Sequence, residues 1–338
     1  MTRGALPAVD GAACVNNRQG LAECDLCVQA CPTSALQIGP QGLTLEAATC
    51  TGCGGCGASC PVAAISIPGV APLPPGFPNG AGDMLLICPE HGRATEGAIC
   101  LQALGLEALA GLWLRGVRKL WLATASCAEC PNGKGLEFSG RLAALNGLLA
   151  DRGLPVLDAV PAPRQLPGRM PQLGEDRADP ARRSFLRMVA SPVTSEAPAG
   201  PRALARLQGL QSQRARATPR CAFVPVLDPA QCNACHACTR LCPEGALILI
   251  NANAEQAAYQ SDATRCTGCG ICVAACQEDA IQLEVMIQPP GGVLPLLQSQ
   301  CRGCGLAFYT PGAEAPADGL CPVCARVPHF RKLHQVLT

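Results

Sequence analysis

Cys232-Asn233-Ala234-Cys235-His236-Ala237-Cys238-Thr239-Arg240-Leu241-Cys242-Pro243, followed by Cys266-Thr267-Gly268-Cys269-Gly270-Ile271-Cys272-Val273-Ala274-Ala275-Cys276, is the stretch that decides the reading of this chain. Gaps of two residues put three thiolates on one tight loop, where they can cover three irons of a cubane. The fourth cysteine, past the turn, faces the neighbouring cluster, so the ligand sets cross over. Separate zinc ions or disulfides would not require eight cysteines in this crossed spacing.

Working outward, the same text recurs near the start of the chain. Cys27-Val28-Gln29-Ala30-Cys31-Pro32 parallels Cys238 to Pro243, and Cys50-Thr51-Gly52-Cys53-Gly54 parallels Cys266 to Gly270. A repeat separated by half the chain is not a solenoid array; two copies of one module, at 14–67 and 232–285, bracket something else. The downstream half of the first copy is complete, Cys50-x2-Cys53-x2-Cys56-x3-Cys60-Pro61. Its upstream half, Cys24-x2-Cys27-x3-Cys31-Pro32, lacks the cysteine expected just before Cys24, and the nearest candidate is Cys14, across nine intervening residues. The expected sets in the first copy are Cys14, Cys24, Cys27 and Cys60, then Cys50, Cys53, Cys56 and Cys31. In the second they are Cys232, Cys235, Cys238 and Cys276, then Cys266, Cys269, Cys272 and Cys242. The cofactors expected are four 4Fe-4S clusters, with a 3Fe-4S cluster replacing one of them if Cys14 does not ligate.

Composition agrees with a chain held by metal. Of 338 residues 25 are cysteine, while 3% are aromatic and 15% charged, so metal–thiolate bonds are expected to supply stability that packing would otherwise give. So many cysteines mean a disulfide scaffold or a metalloprotein in a reducing compartment. Met1 to Asp10 has no apolar core of a secretory signal, and a cytoplasmic location is expected. No membrane span is expected, since the longest apolar stretch, Leu101 to Leu114, is interrupted by Gln102, Glu107 and two glycines. A net charge of +1 argues against nucleic acid as a partner of the chain as a whole. Arginine is concentrated in the middle, eleven arginines against four acids between 161 and 220.

The domain reading is a first cysteine module at 10–70, a Pro/Gly linker at 71–82, an α/β domain at 83–160, a basic linker at 161–220, the second module at 221–288 and a tail at 295–338. Apolar runs at Met84–Cys88, Val117–Ala123 and Leu154–Val160 alternate with helical patterns at Gly97–Arg115 and Arg141–Ala150. That alternation predicts a small parallel sheet. Short helices are expected at Ala181–Ala190 and Pro201–Arg216. Arg182-Arg183-Ser184-Phe185-Leu186-Arg187 has the look of a twin-arginine export signal, but it is internal and no adequate apolar stretch follows, so a solvated basic helix is the better reading.

The remaining cysteines fall in two groups. Cys88, Cys100, Cys127 and Cys130 belong to the α/β domain, where Cys88 and the close pair are expected to meet at the carboxyl edge of the sheet. This is a metal or 2Fe-2S site or, alternatively, a redox-active dithiol at Cys127 and Cys130. His91 is a substitute ligand or an ordinary surface histidine. Cys301-Arg302-Gly303-Cys304 and Cys321-Pro322-Val323-Cys324, separated by sixteen residues, have the spacing of a tetrahedral zinc ribbon, and iron suits the same four thiolates. Cys221 is left over as a buried structural thiol.

Both outer modules resemble the two-cluster bacterial ferredoxins, including the ferredoxin-type proteins and subunits that serve formate dehydrogenases and molybdenum reductases. The α/β domain resembles the hydrogenase-linked delta subunit of heterodisulfide reductases and, more loosely, the thioredoxin-fold 2Fe-2S ferredoxins. The tail resembles rubredoxin in its knuckles. The expected fold class is thus α+β, two bacterial-ferredoxin-like modules flanking a small parallel α/β domain, with a zinc-ribbon or rubredoxin-like pair of knuckles at the end. The resemblance implies an electron carrier with no catalytic residues of its own, relaying single electrons between cytoplasmic redox enzymes, with formate dehydrogenase first among partners. A metalloenzyme maturation or redox-sensing factor, and a thiol–disulfide oxidoreductase, are the alternatives. Fold alone does not name a partner.

Overall fold

A computed structural model describes residues 6–18, 24–40, 42–68, 70, 82–94, 98–127, 129–130, 132, 138–165, 170–173, 202–251, 257–312 and 316–326. These form two compact units, one of the described residues up to Pro219 and one of those from Arg220 onward. Most of the linker expected at 71–82, the helix expected at Ala181–Ala190 and the paired arginines Arg182 and Arg183 lie outside the described residues.

The first unit opens with β1 (Ala8–Val9), α1 (Val15–Arg18), α2 (Leu26–Gln29), the hairpin β2 (Leu36–Gly39) and β3 (Gly42–Leu45), α3 (Gly55–Ser59) and β4 (Ile65–Ser66). β1 and β4 pair antiparallel, Val9 opposite Ile65, and β2 and β3 pair with Leu36 opposite Leu45. Elements this short bury little apolar surface of their own, which leaves the cysteines to hold them.

The unit continues with β5 (Asp83–Ile87), a 3-10 turn at Leu101–Ala103, α4 (Leu106–Leu114), β6 (Lys119–Ala123), α5 (Phe138–Asp151) and β7 (Asp158–Pro161). The sheet is parallel in the order β5, β6, β7. Its fold follows from its apolar pattern: Met84 to Ile87 of the edge strand β5 are all buried, as a parallel strand covered on both faces requires, and the outer edge is bonded at Leu85 by Pro171 and Leu173. α4 buries Ala108, Leu109, Leu112 and Trp113, and α5 buries Leu145, Leu148 and Leu149, both at helical spacing. The helix expected over Gly97–Arg115 is split in two, because Gly105, in an extended conformation, separates the 3-10 turn from α4.

The helix expected over Pro201–Arg216 is confined to α6 (Ala203–Gln208) and packs on α4. Glu107 receives the N–H groups of Ala203 and Leu204 at 2.7 and 3.1 Å, satisfying two donors at the start of α6. The buried Arg152 donates from Nε to the carbonyl of Gln208 at 3.0 Å. Residues assigned to a linker from composition are thereby fastened to the α/β domain.

The second unit pairs β8 (Cys221–Leu227) with β11 (Ile281–Ile287) antiparallel, and carries the helices α7 (Ala237–Leu241) and α8 (Ile271–Ala274). A four-stranded sheet runs β13 (Ala307–Pro311), β12 (Val293–Gln300), β10 (Ala258–Ser261), β9 (Leu247–Ile250), and α9 (Pro322–Arg326) follows it. Among the described residues no helix is long and apolar enough to cross a membrane.

Candidate metal centres

Three of the four cysteine loops share one backbone conformation. The second and fourth residues after the leading cysteine take positive φ: Gly52 and Gly54 at 71° and 76°, Ala234 and His236 at 55° and 65°, Gly268 and Gly270 at 76° and 74°. Two left-handed residues curl the loop around a common centre, a geometry that glycine adopts freely and that alanine or histidine adopts at a cost. In the fourth loop the residue ahead of α2, Asp25, has φ −122°, and there the leading cysteine of the motif is missing.

Past the turn all four motifs close alike. The sulfurs of Cys31, Cys60, Cys242 and Cys276 accept the N–H of the residue four further on, from Ala35, Ala64 and Ala246 at 3.2 Å and from Ala280 at 3.3 Å. A left-handed residue makes each closure, Ser34, Ala63, Gly245 and Asp279. Such bonds favour a thiolate and tune any metal it holds.

The sulfurs converge in the crossed pattern. Cys27 has Cys60, Cys24 and Cys14 as electrostatic neighbours, and Cys238 has Cys232, Cys235 and Cys276. Cys31, Cys50, Cys53 and Cys56 line one pocket, and Cys242, Cys266, Cys269 and Cys272 line another. Burial, then the proximity of other thiols, pushes Cys27 up to about 11 and Cys56, Cys238 and Cys272 up to about 12. At Cys31 burial acts upward but is outweighed by the N–H groups of Thr33 and Ala35, leaving this thiol below its ordinary value. Four thiols around a void, with the outlying sulfur already fixed by an N–H, is a donor set that fits a 4Fe-4S cluster.

Cys14 is brought into place by a residue the sequence reading passed over. Asn16 donates from Nδ2 to the carbonyl of Cys24 at 2.6 Å and accepts the Cys24 N–H on Oδ1 at 3.0 Å. The clamp sets Cys14, buried and two residues before it, beside Cys24 and Cys27.

In the second unit His236 stands where the equivalent loops have glycine. Its Nδ1 is 2.7 Å from the hydroxyl of Tyr259, its N–H donates to the same oxygen at 3.2 Å, and its ring meets Tyr259 and Tyr309 edge to face, both at 5.5 Å between centroids. Burial comes first in holding Tyr259 well above the ordinary phenol value. Nothing in the spacing of the cysteines marks this partnership. Cys221 is buried against Val224 and Ala263.

In the α/β domain Cys88 directly follows β5, Cys127 and Cys130 follow β6, and Cys100 caps the 3-10 turn. All four line one pocket at the carboxyl edge of the sheet. His91 is not part of its lining and accepts the Arg93 N–H on Nδ1 at 3.2 Å. Burial, above all, pushes Cys100 up to about 12.

The tail is tighter. The sulfurs of Cys301, Cys304, Cys321 and Cys324 all lie within 4.8 Å of one another. Zn–S bonds of 2.3 Å in a tetrahedron put sulfurs about 3.8 Å apart, so this group is near the size of a single-ion site. Among the described residues no other set of three or more His, Cys, Asp or Glu side chains converges so closely. The N–H groups of Cys321 and Gly303 reach the Cys301 sulfur at 3.2 and 3.3 Å, and these bonds, Cys321 foremost, bring that thiol down to about 6. Burial pushes Cys324 up to about 12.

Comparison with known families agrees with the second unit. Two family models, each described as a 4Fe-4S dicluster domain, match residues 231–281 and 265–310. These matches support an iron–sulfur, ferredoxin-like family. They support an electron-transfer role and 4Fe-4S clusters as its cofactors. No curated protein matches the chain.

Proposed function

We propose that this chain is a polyferredoxin that relays single electrons through four 4Fe-4S clusters, two in each cysteine module. The observation that carries the reading is the crossed convergence of eight cysteines in the second unit, inside the residues that match the dicluster family. Cys232, Cys235, Cys238 and Cys276 would hold one cluster and Cys266, Cys269, Cys272 and Cys242 the other. The same crossing supports Cys14, Cys24, Cys27 and Cys60, with Cys31, Cys50, Cys53 and Cys56, in the first unit.

When bound, such clusters change oxidation state by one electron with little change of shape, and the protein sets their potentials by hydrogen bonds to sulfur, burial and local charge. The side chains then have only to hold and insulate. The knuckle set is proposed to carry zinc. The wider set of the α/β domain, Cys88, Cys100, Cys127 and Cys130, is proposed to carry a 2Fe-2S cluster. Donor and acceptor are proposed to be redox enzymes, with formate dehydrogenase or another molybdenum enzyme first, on the family resemblance.

Anaerobic iron, sulfide and zinc analysis with EPR on one sample tests the reading. Four cubanes predict about 16 irons per chain and a binuclear centre raises this to about 18, with one zinc beside them. Fewer than about eight irons would sink it.

A further inference from the structure

Two of the voids described above are joined by a single hydrogen bond. Thr51 lines the void framed by Cys31, Cys50, Cys53 and Cys56. Asn132 lines the void framed by Cys88, Cys100, Cys127 and Cys130. Thr51 Oγ1 donates to Asn132 Oδ1 at 2.7 Å. Behind it, Gln102, two residues from Cys100 and buried, donates from Nε2 to the carbonyl of Asn132 at 2.9 Å.

The segments on either side are packed closely, with no room for a side chain at Gly54. A Cβ added at Gly54 would stand 2.5 Å from the Cβ of Ala103, and one at Gly55 would be 4.0 Å from the Cβ of Gln102. The loop carrying Cys50 and Cys53 is thus pressed on the turn that begins at Cys100, and Cys53 and Cys100 are electrostatic neighbours. Polar side chains next to metal ligands orient them and tune the site; Thr51 and Asn132 each line one pocket and meet each other.

The α/β void asks for a group larger than one ion. Its four thiols come from three separate segments and surround a common space, yet do not draw together as the tail cysteines do. A dithiol would need only Cys127 and Cys130, leaving Cys88 and Cys100 unexplained.

We infer that the four-cysteine site of the α/β domain holds a 2Fe-2S cluster wired directly to the cubane of Cys31, Cys50, Cys53 and Cys56, with the Thr51–Asn132 contact as the junction. The inference rests on the relay reading above. The step is a one-electron exchange: an iron of the reduced cubane is oxidised, an iron of the oxidised binuclear cluster is reduced, and no bond breaks and no proton moves. The α/β domain becomes the electron port of the first unit.

The test is EPR of the full chain, prepared anaerobically and poised at a series of potentials. The binuclear signal is expected to broaden and to become harder to saturate as the cubanes are reduced. That broadening is expected to be lost in Cys50→Ala and retained in Cys266→Ala. Since loss of a ligand can disturb its loop, Thr51→Val and Asn132→Ala provide a second arm: both are expected to keep full iron and sulfide and to lose the fast phase of electron equilibration between the two centres. A chain with its cubanes but no binuclear signal, or with a binuclear signal indifferent to cubane reduction, overturns the inference and leaves the relay standing. Unchanged equilibration in both variants overturns the junction. A chain short of cubane iron removes the relay reading and the inference with it.

Discussion

Asn16 makes the most specific demand of any single residue outside the cysteines. Its two bonds to Cys24 are the means by which Cys14 arrives at its neighbours, and they are of the kind that contribute about 0.5–1.5 kcal/mol each. Asn16→Ala is therefore expected to weaken the fourth attachment of the cluster at Cys14, Cys24, Cys27 and Cys60. The readout is conversion of one cubane to a 3Fe-4S cluster, seen in the EPR of the oxidised protein; Cys14→Ser should convert it completely, while a full set of cubanes in Cys14→Ser would show that Cys14 is not a ligand. At the tail, the sign of the pH dependence follows from two thiols. The N–H of Cys321 holds Cys301 below its ordinary value, so it gives up its proton more readily, whereas burial holds Cys324 above its own, so a metal must displace that proton. Metal affinity of the knuckles should therefore rise with pH between 6 and 9, by about tenfold per pH unit for each proton displaced, and chelator competition across that range measures it. A flat profile would contradict the thiol at Cys324.

The elements that sequence foretold are those with a local cause. β5, β6 and α5 lie close to where apolar periodicity puts them, while α4 fills only the second half of its helical pattern and β7 starts four residues after the apolar run begins at Leu154; the four sharp closures after Cys31, Cys60, Cys242 and Cys276 follow directly from the cysteine text. What was illegible is what depends on partners far along the chain. Glu107 binds the start of α6 from 96 residues away, Thr51 meets Asn132 across 81, and Tyr259 meets His236 across 23. No propensity or spacing encodes such meetings. Glu107→Ala would leave two N–H groups of α6 without their acceptor, at a cost of about 1–3 kcal/mol, and should make the bond following Arg206 or Arg202 cleavable by trypsin under native conditions. In the core of the same domain, Leu112→Ala removes a fully buried side chain, for which a loss of about 2–5 kcal/mol is expected in denaturant unfolding.

At the scale of the molecule, each unit joins two kinds of cysteine site. In the first, the crossed cysteine sets of the N-terminal module are packed with the four-cysteine pocket of the α/β domain. In the second, β12 pairs with β10 on one side and β13 on the other, so one sheet connects the cluster loops to the knuckles. Arg326 of α9 forms an ion pair with Glu278, which also accepts from Asn233 at 2.9 Å, fastening the knuckle helix to both cysteine loops. Removing the metal proposed for the knuckles with a chelator is thus expected to lower the thermal stability of the second unit without extracting iron at once, and the Cys321→Ser chain should behave like the chelated one. Melting curves that coincide with and without zinc would count against it.

The setting of His236 has a consequence for speed. Its ring is gripped by a tyrosine from β10 and another from β13, and among the described residues no buried side-chain nitrogen or oxygen lacks a hydrogen-bond partner. For an electron arriving at the cluster proposed for Cys232, Cys235, Cys238 and Cys276, the nearby dipoles of His236 and Tyr259 are already committed to one another. Under the proposed relay, surroundings held in this way would turn little on each transfer, and a small driving force would be enough to move the electron onward.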